Sequence, residues 1–174
     1  MILNEGLEKF LESVKPQKIS YGTNPETDNG EFFNQTGSIG TFFKFNDLYY
    51  IVLFDSTDGL PHITSELSSD KAYEATFAVS DRFSLELSNY QIRMKIHHTT
   101  NMIKAFSHII YVINEIIKYI KDVDYLIFTG VDDERNDVYS VMVNNKLLRR
   151  EIAKNIKFVY HGEVYGYYIF KRIH

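Results

Sequence analysis

Between Asn101 and Val131 the apolar residues recur first at helical and then at strand spacing. Met102, Phe106, Ile109, Ile110, Ile113, Ile116, Ile117 and Ile120 fall three and four positions apart, which places them on one face of a helix. Lys104, Ser107, Asn114, Glu115, Lys118 and Lys121 fall on the other side, and Asp122 and Asp124 break the pattern. Tyr125-Leu126-Ile127-Phe128, ended by Thr129-Gly130, is then a short run of β-formers with the pattern of an interior strand. So wide an apolar stripe has to lie across a sheet, and this strand belongs to that sheet.

The preceding residues divide into shorter elements. Leu3, Leu7, Phe10, Leu11 and Val14 form one helical stripe that Pro16 ends. Gly22 to Gly40 is rich in Gly, Asn, Thr and Asp and reads as a long loop or flexible flap anchored by Phe32 and Phe33. Thr41–Phe45 and Leu48–Phe54, joined by Asn46-Asp47, predict a β-hairpin. Asp55–Asp70 is turn-rich. Tyr73, Ala75, Phe77 and Val79 alternate with Glu74, Thr76 and Ala78 as a strand with one wet face. Phe83, Leu85 and Leu87 predict another strand, and Ile92, Met94 and Ile96 a third. This half is an antiparallel meander.

After the strand at Tyr125, Asp132 to Asp137 is a charged turn that a following helix favours at its N-terminus. Val138, Val141, Met142, Asn145, Leu148 and Ile152 define that helix, with Lys146, Arg149, Arg150 and Lys154 facing solvent. A terminal hairpin follows: Ile156–Tyr160, His161-Gly162, Val164–Phe170, with Tyr165, Tyr167 and Tyr168 clustered on it. The expected fold is α+β: an antiparallel meander sheet with a long central helix and a second C-terminal helix packed on it. Residues 1–174 read as one domain.

Composition narrows the function classes. With 174 residues there is material for one well-buried core. A net charge of −4 offers no bulk attraction to nucleic acid or to anionic membranes. The absence of cysteine removes disulfides, thiol catalysis and thiolate metal sites. MILNEGLEKF has neither a cationic nor an apolar signal region, and charged residues interrupt the most apolar helix. The expectation is a protein without a signal peptide or membrane span, in the cytoplasm of a host cell or in a virion.

The order of strand, long helix, strand, helix and hairpin after a meander resembles the GNAT-type acyltransferase fold. The segment Phe128–Lys171, with its charged turn, its helix carrying Tyr139, and its Tyr-rich hairpin, also looks like the C-terminal half of small phage-encoded α/β proteins. The GNAT resemblance implies acetyl-coenzyme A bound at the start of the central helix, at Thr99, Thr100, Asn101 and Met102, with Tyr139 as general acid. The departure is in Gln91–Asn101, QIRMKIHHTTN, which has no glycine. Side chains there crowd the close backbone approach that a pyrophosphate requires. The acyl-coenzyme A site is therefore read as lost, and no cofactor is expected.

Paired His-x-Thr elements, His62-Ile63-Thr64 and either His97-His98-Thr99 or His98-Thr99-Thr100, resemble the two-histidine phosphoesterases, in which facing imidazoles act as acid and base. The resemblance implies His62, Thr64, His97 and Thr99 as the catalytic set, on two apolar strands. The plainer reading is that Thr99 or Thr100 caps the helix, with His97 and His98 exposed at a strand end. His97, His98 and His108 have no suitably spaced carboxylate, and Asp132, Asp133 and Glu134 lack the alternating ligands of a calcium loop, so no metal is expected. The first expectation is a non-catalytic protein-binding or assembly protein, accessory or virion-associated and phage-encoded. Phe32, Phe33, Tyr165, Tyr167 and Tyr168 would meet a protein partner or a second copy, because exposed aromatics bring large contact area at low entropic cost.

Overall fold

The structure, a computed structural model, describes residues 15–27, 29–35, 37–57, 61–67, 71–86, 100–129, 150, 154–164 and 167–173; at 61, 62, 64, 100–104, 106, 129 and 164 it describes the backbone alone. Its elements are β1 (Phe33–Gln35), β2 (Ser38–Phe45), β3 (Leu48–Ser56), α1 (Pro61–Leu67), β4 (Ala72–Ser80), α2 (Thr100–Ile120), β5 (Tyr125–Thr129), β6 (Phe158–Val164) and β7 (Tyr167–Arg172). The seven strands form one sheet in the order β1-β2-β3-β4-β5-β7-β6. The class is α+β.

The sheet is mixed rather than a plain antiparallel meander. β1 to β4 pair antiparallel, but β4 and β5 are parallel, matched at Ala72↔Tyr125, Tyr73↔Leu126 and Glu74↔Ile127. A parallel neighbour cannot be reached by a tight turn, so the chain crosses over through α2. The β2–β3 hairpin forms as its turn residues dictate. Asn46 and Asp47 both take positive φ, 51° and 60°, the geometry of a two-residue turn whose twist matches the strands.

The two faces of the sheet are covered differently. Phe43, Val52, Phe77, Leu126 and Phe170 pack with Ile109, Ile110, Ile113 and Ile116 of α2 in the main core. On the other face Ala72, Ile127 and Ile169 pack with Ile63 and Leu67, one turn apart on α1. Phe42, Ile51 and Ala78 form a third cluster, and the Phe83 ring meets Phe42 edge-on at 5.3 Å. The second face of β4 is therefore not wet along its length: Ala72, Ala78 and Ser80 are buried.

Four local expectations change. Gly22–Gly40 is not one loop, because Gly22 bridges to Phe42 and residues 33–35 and 38–40 are strand. Asn29 substitutes for regular structure there: its Oδ1 accepts from the amides of Thr23 and Glu31, and its Nδ2 donates to both side chains. Pro61–Leu67, inside the turn-rich stretch, is a helix opening on proline, which is pre-set for a first helical position. Residues 83–86 form no strand; Ser80 and Ser84 hydroxyls accept from the amides of Arg82 and Glu86 and turn the chain, leaving Leu85 75% exposed. His161-Gly162 is a bulge inside β6 rather than its turn. The expected helix at 1–14 and the strand at Ile92–Ile96 lie outside the described residues, as does most of the helix from Val138 to Ile152.

Candidate functional site

Ser107 falls on the polar side of the α2 pattern, yet it and the neighbouring His108 are both buried, at 2% and 6% exposure. The cause is the segment Lys15–Thr27, continued by Asn29–Phe32, which runs along α2 as a strap. Gln17 donates its amide to the Ser107 carbonyl at 3.2 Å, and the His108 Nδ1 lies 3.1 Å from the Gln17 carbonyl. Desolvation holds the His108 pKa below its ordinary value, against the smaller opposite effect of the Gln17 hydrogen bond. The ring is a packing group against Phe45 at 4.6 Å. Among the described residues no three His, Asp or Glu side chains are grouped as a metal site would require.

Further along, the strap sets aromatic rings on the outer face of α2. Tyr111, Glu115 and Tyr119 succeed one another at four-residue steps, forming one row along the helix surface. Phe32 packs on Tyr119 with ring centroids 4.7 Å apart, Tyr21 on Phe32 at 5.3 Å, and Tyr21 on Tyr111 at 6.3 Å. The Tyr21 hydroxyl donates to Glu115, which also pairs with Lys118 at 2.7 Å. Tyr119 is 52% exposed at the end of this ridge.

Beside the ridge an open cleft of about 530 Å³ lies between the C-terminal half of α2 and the start of β6. Asn114, Lys118 and Lys121 line it from the helix side, Lys157 and Arg172 from the sheet side. The walls are locked by backbone contacts: Asn114 Nδ2 donates to the Asn155 carbonyl at 3.1 Å, and Arg172 Nη1 to the Lys121 carbonyl at 2.8 Å. Arg172 thereby ties β7 to the chain just beyond the C-terminus of α2. The hydrogen bond to Glu115, and then its charge, raise the Lys118 pKa.

Of the residues singled out from the sequence, Phe32 lies on the ridge. Phe33 faces the opposite side of the sheet, on Phe42 at 5.4 Å. Tyr167 is half-buried against the cluster under α1. Tyr168 is a correction: it is 7% exposed in the main core and presents no ring to a partner. The five expected contact residues are thus not one patch. Tyr139, Tyr165, His97 and Thr99 lie outside the described residues. Thr100, Asn101 and Met102 form the first turn of α2, and His62 and Thr64 belong to α1 rather than to a strand. Tyr21, Tyr111, Tyr119, Lys121, Lys157 and Arg172 had no motif to flag them; an aromatic at position 119 among the polar side of a helix was the available signal.

No helix of the described residues is long and apolar enough to cross a membrane. No family model matches this chain, and neither a curated protein nor a solved structure matches it.

Proposed function

We propose that this chain is a non-catalytic protein-binding or assembly protein, accessory or virion-associated and phage-encoded, and that its contact surface is the ridge on α2. The observation that carries the reading is the Phe32–Tyr119 ring pair, half-buried on one side and 52% exposed on the other. Rings already packed against a strap lose little freedom on contact, so most of their area remains available to stabilise a complex. Replacing Tyr119 by a photo-crosslinking phenylalanine tests it, with the same group at exposed Glu66 as control. The expected result is a discrete adduct from position 119 that disappears with Phe32→Ala. A folded monomer giving no adduct from position 119 overturns the reading.

One observation favours a second reading, an acyltransferase. The succession of meander, helix, strand and hairpin supports the GNAT resemblance, and the parallel β4–β5 match covers only Ala72–Glu74 of the nine residues of β4. From Ala75 onward β4 has no partner on that side in β5, and an opening between parallel strands beside α2 is where an acyl-coenzyme A would lie. The glycine-free stretch before Met102 does not fit the pyrophosphate, so no transfer step is written here. A saturable thermal shift with acetyl-coenzyme A would promote this reading over the first; its absence removes it.

A further inference from the structure

We infer that the cleft between α2 and β6, which shares Tyr111 and Glu115 with the ridge but not Phe32 or Tyr119, is a binding site for a small organic anion, a phosphate or carboxylate on an apolar body. Its volume of about 530 Å³ falls within the range of small-molecule sites. Four cationic side chains and one carboxylate line it, in a chain whose overall charge is −4. The positive character is therefore local, and a half-enclosed concavity with low-dielectric walls focuses it.

The cations are not spent on each other's neighbours. Glu115 neutralises Lys118, but no described carboxylate lies within ion-pair distance of Lys121 or Lys157. Arg172 Nη1 is held by neutral carbonyls, of Lys121 and more distantly Val123; Nε and Nη2 donate to no described residue. The C-terminus of a helix repels anions; here the Ile117 and Ile120 carbonyls are taken by the amides of Lys121 and Asp122, and the Arg172 guanidinium sits on the carbonyls just beyond the helix end.

Backbone geometry adds a second line. Lys121 and Lys157 both hold left-handed φ, 66° and 60°, a conformation that glycine would take at lower cost. Lysine stands at both places, one on each wall of the cleft. Each directly follows the last residue of a helical stretch, where a left-handed residue commonly ends the helix, and this fixes where the two lysine backbones stand. The apolar part of the ligand would meet the Tyr111 ring, and the Asn114 amide is a polar group at the same wall.

Titration of the full chain with phenyl phosphate, benzoate and inorganic phosphate, followed by calorimetry, tests this. Saturable binding is expected, tightest for one of the two ring-bearing anions, and weakening between low and physiological salt. Which ring-bearing anion wins distinguishes a phosphate from a carboxylate ligand. The double variant Lys121→Gln/Lys157→Gln, both exposed positions, should lose at least tenfold in affinity, Lys121→Arg/Lys157→Arg should retain binding, and Lys171→Gln on the opposite sheet face should change nothing. Circular dichroism of each variant verifies the fold. Failure of all three anions to bind, binding that survives the double Gln variant, or equal affinity for inorganic phosphate and the ring-bearing anions overturns the inference. None of these outcomes bears on crosslinking from position 119.

Discussion

The imidazole of His108 reaches the backbone carbonyl of Gln17, 91 residues away in sequence, at 3.1 Å. That contact ties the strap to α2 with a titratable group whose charged form burial disfavours. The folded pKa lies below the ordinary 6.5, so the unfolded chain takes up its proton first as pH falls. Stability from this group is complete above about pH 6.5 and declines below it, levelling off once the folded form also protonates. Urea unfolding at successive pH values should show this loss in the native chain and not in His108→Gln. Equal pH slopes for the two proteins would sink the assignment.

Ile63 is fully buried on the second face of the sheet, although α1 is only seven residues long. Ile63→Ala should cost about 2–5 kcal/mol, the range for a large aliphatic side chain removed from a packed site. The exposed neighbour Ser65→Ala should fall within about 0.5 kcal/mol of the parent. Denaturant midpoints for the pair measure the contrast, and similar midpoints would mean that α1 is not docked as described.

Gly22 sits where an added Cβ would lie 1.9 Å from Asn29 Oδ1. Asn29 cannot simply swing away, because the same oxygen holds two amides of the strap. Gly22→Ala should destabilise by about 1–3 kcal/mol, and the penalty should shrink in an Asn29→Ala background. A double-mutant cycle in chemical unfolding reads the coupling; strict additivity contradicts the predicted clash.

At the β2–β3 turn Asp47 holds φ 60° without the benefit of glycine. Asp47→Gly makes the Asn-Gly pair that this turn favours; relief of the left-handed backbone, about 1–2 kcal/mol, outweighs the roughly 0.5–1 kcal/mol that glycine's freedom costs on folding, so stability should rise by about 0.5 kcal/mol. A melting temperature that falls would show the aspartate side chain to be serving the turn.

Much of the architecture was legible because it is local and periodic. The isoleucine stripe of α2 matches its buried face, the Asn46-Asp47 pair marks its hairpin, and the apolar run at Tyr125 is an interior strand. What escaped was decided by remote partners. Ser107 reads as solvent-facing until a strap from ninety residues earlier covers it, together with His108. The seven-residue α1 is too short to show a period, and only its burial of Ile63 and Leu67 against Ile127 and Ile169 explains it. The antiparallel expectation failed at β4 and β5 because pairing direction depends on the crossover, which alternation does not encode. The cleft is harder still: Lys121, Lys157 and Arg172 come from separate elements, and no spacing along the chain joins them.

The position of β7 has a consequence for synthesis. Although it follows β6 in the chain, it lies between β5 and β6, and Tyr168, Ile169 and Phe170 are buried on its two sides. Until those residues leave the ribosome, β5 has an open hydrogen-bonding edge carrying Leu126 and Ile127, and the nascent chain presents a template for unwanted strand pairing. Completion of the sheet waits on the strand made last among those described, so β5 gains its second neighbour only once Tyr167–Arg172 have been made.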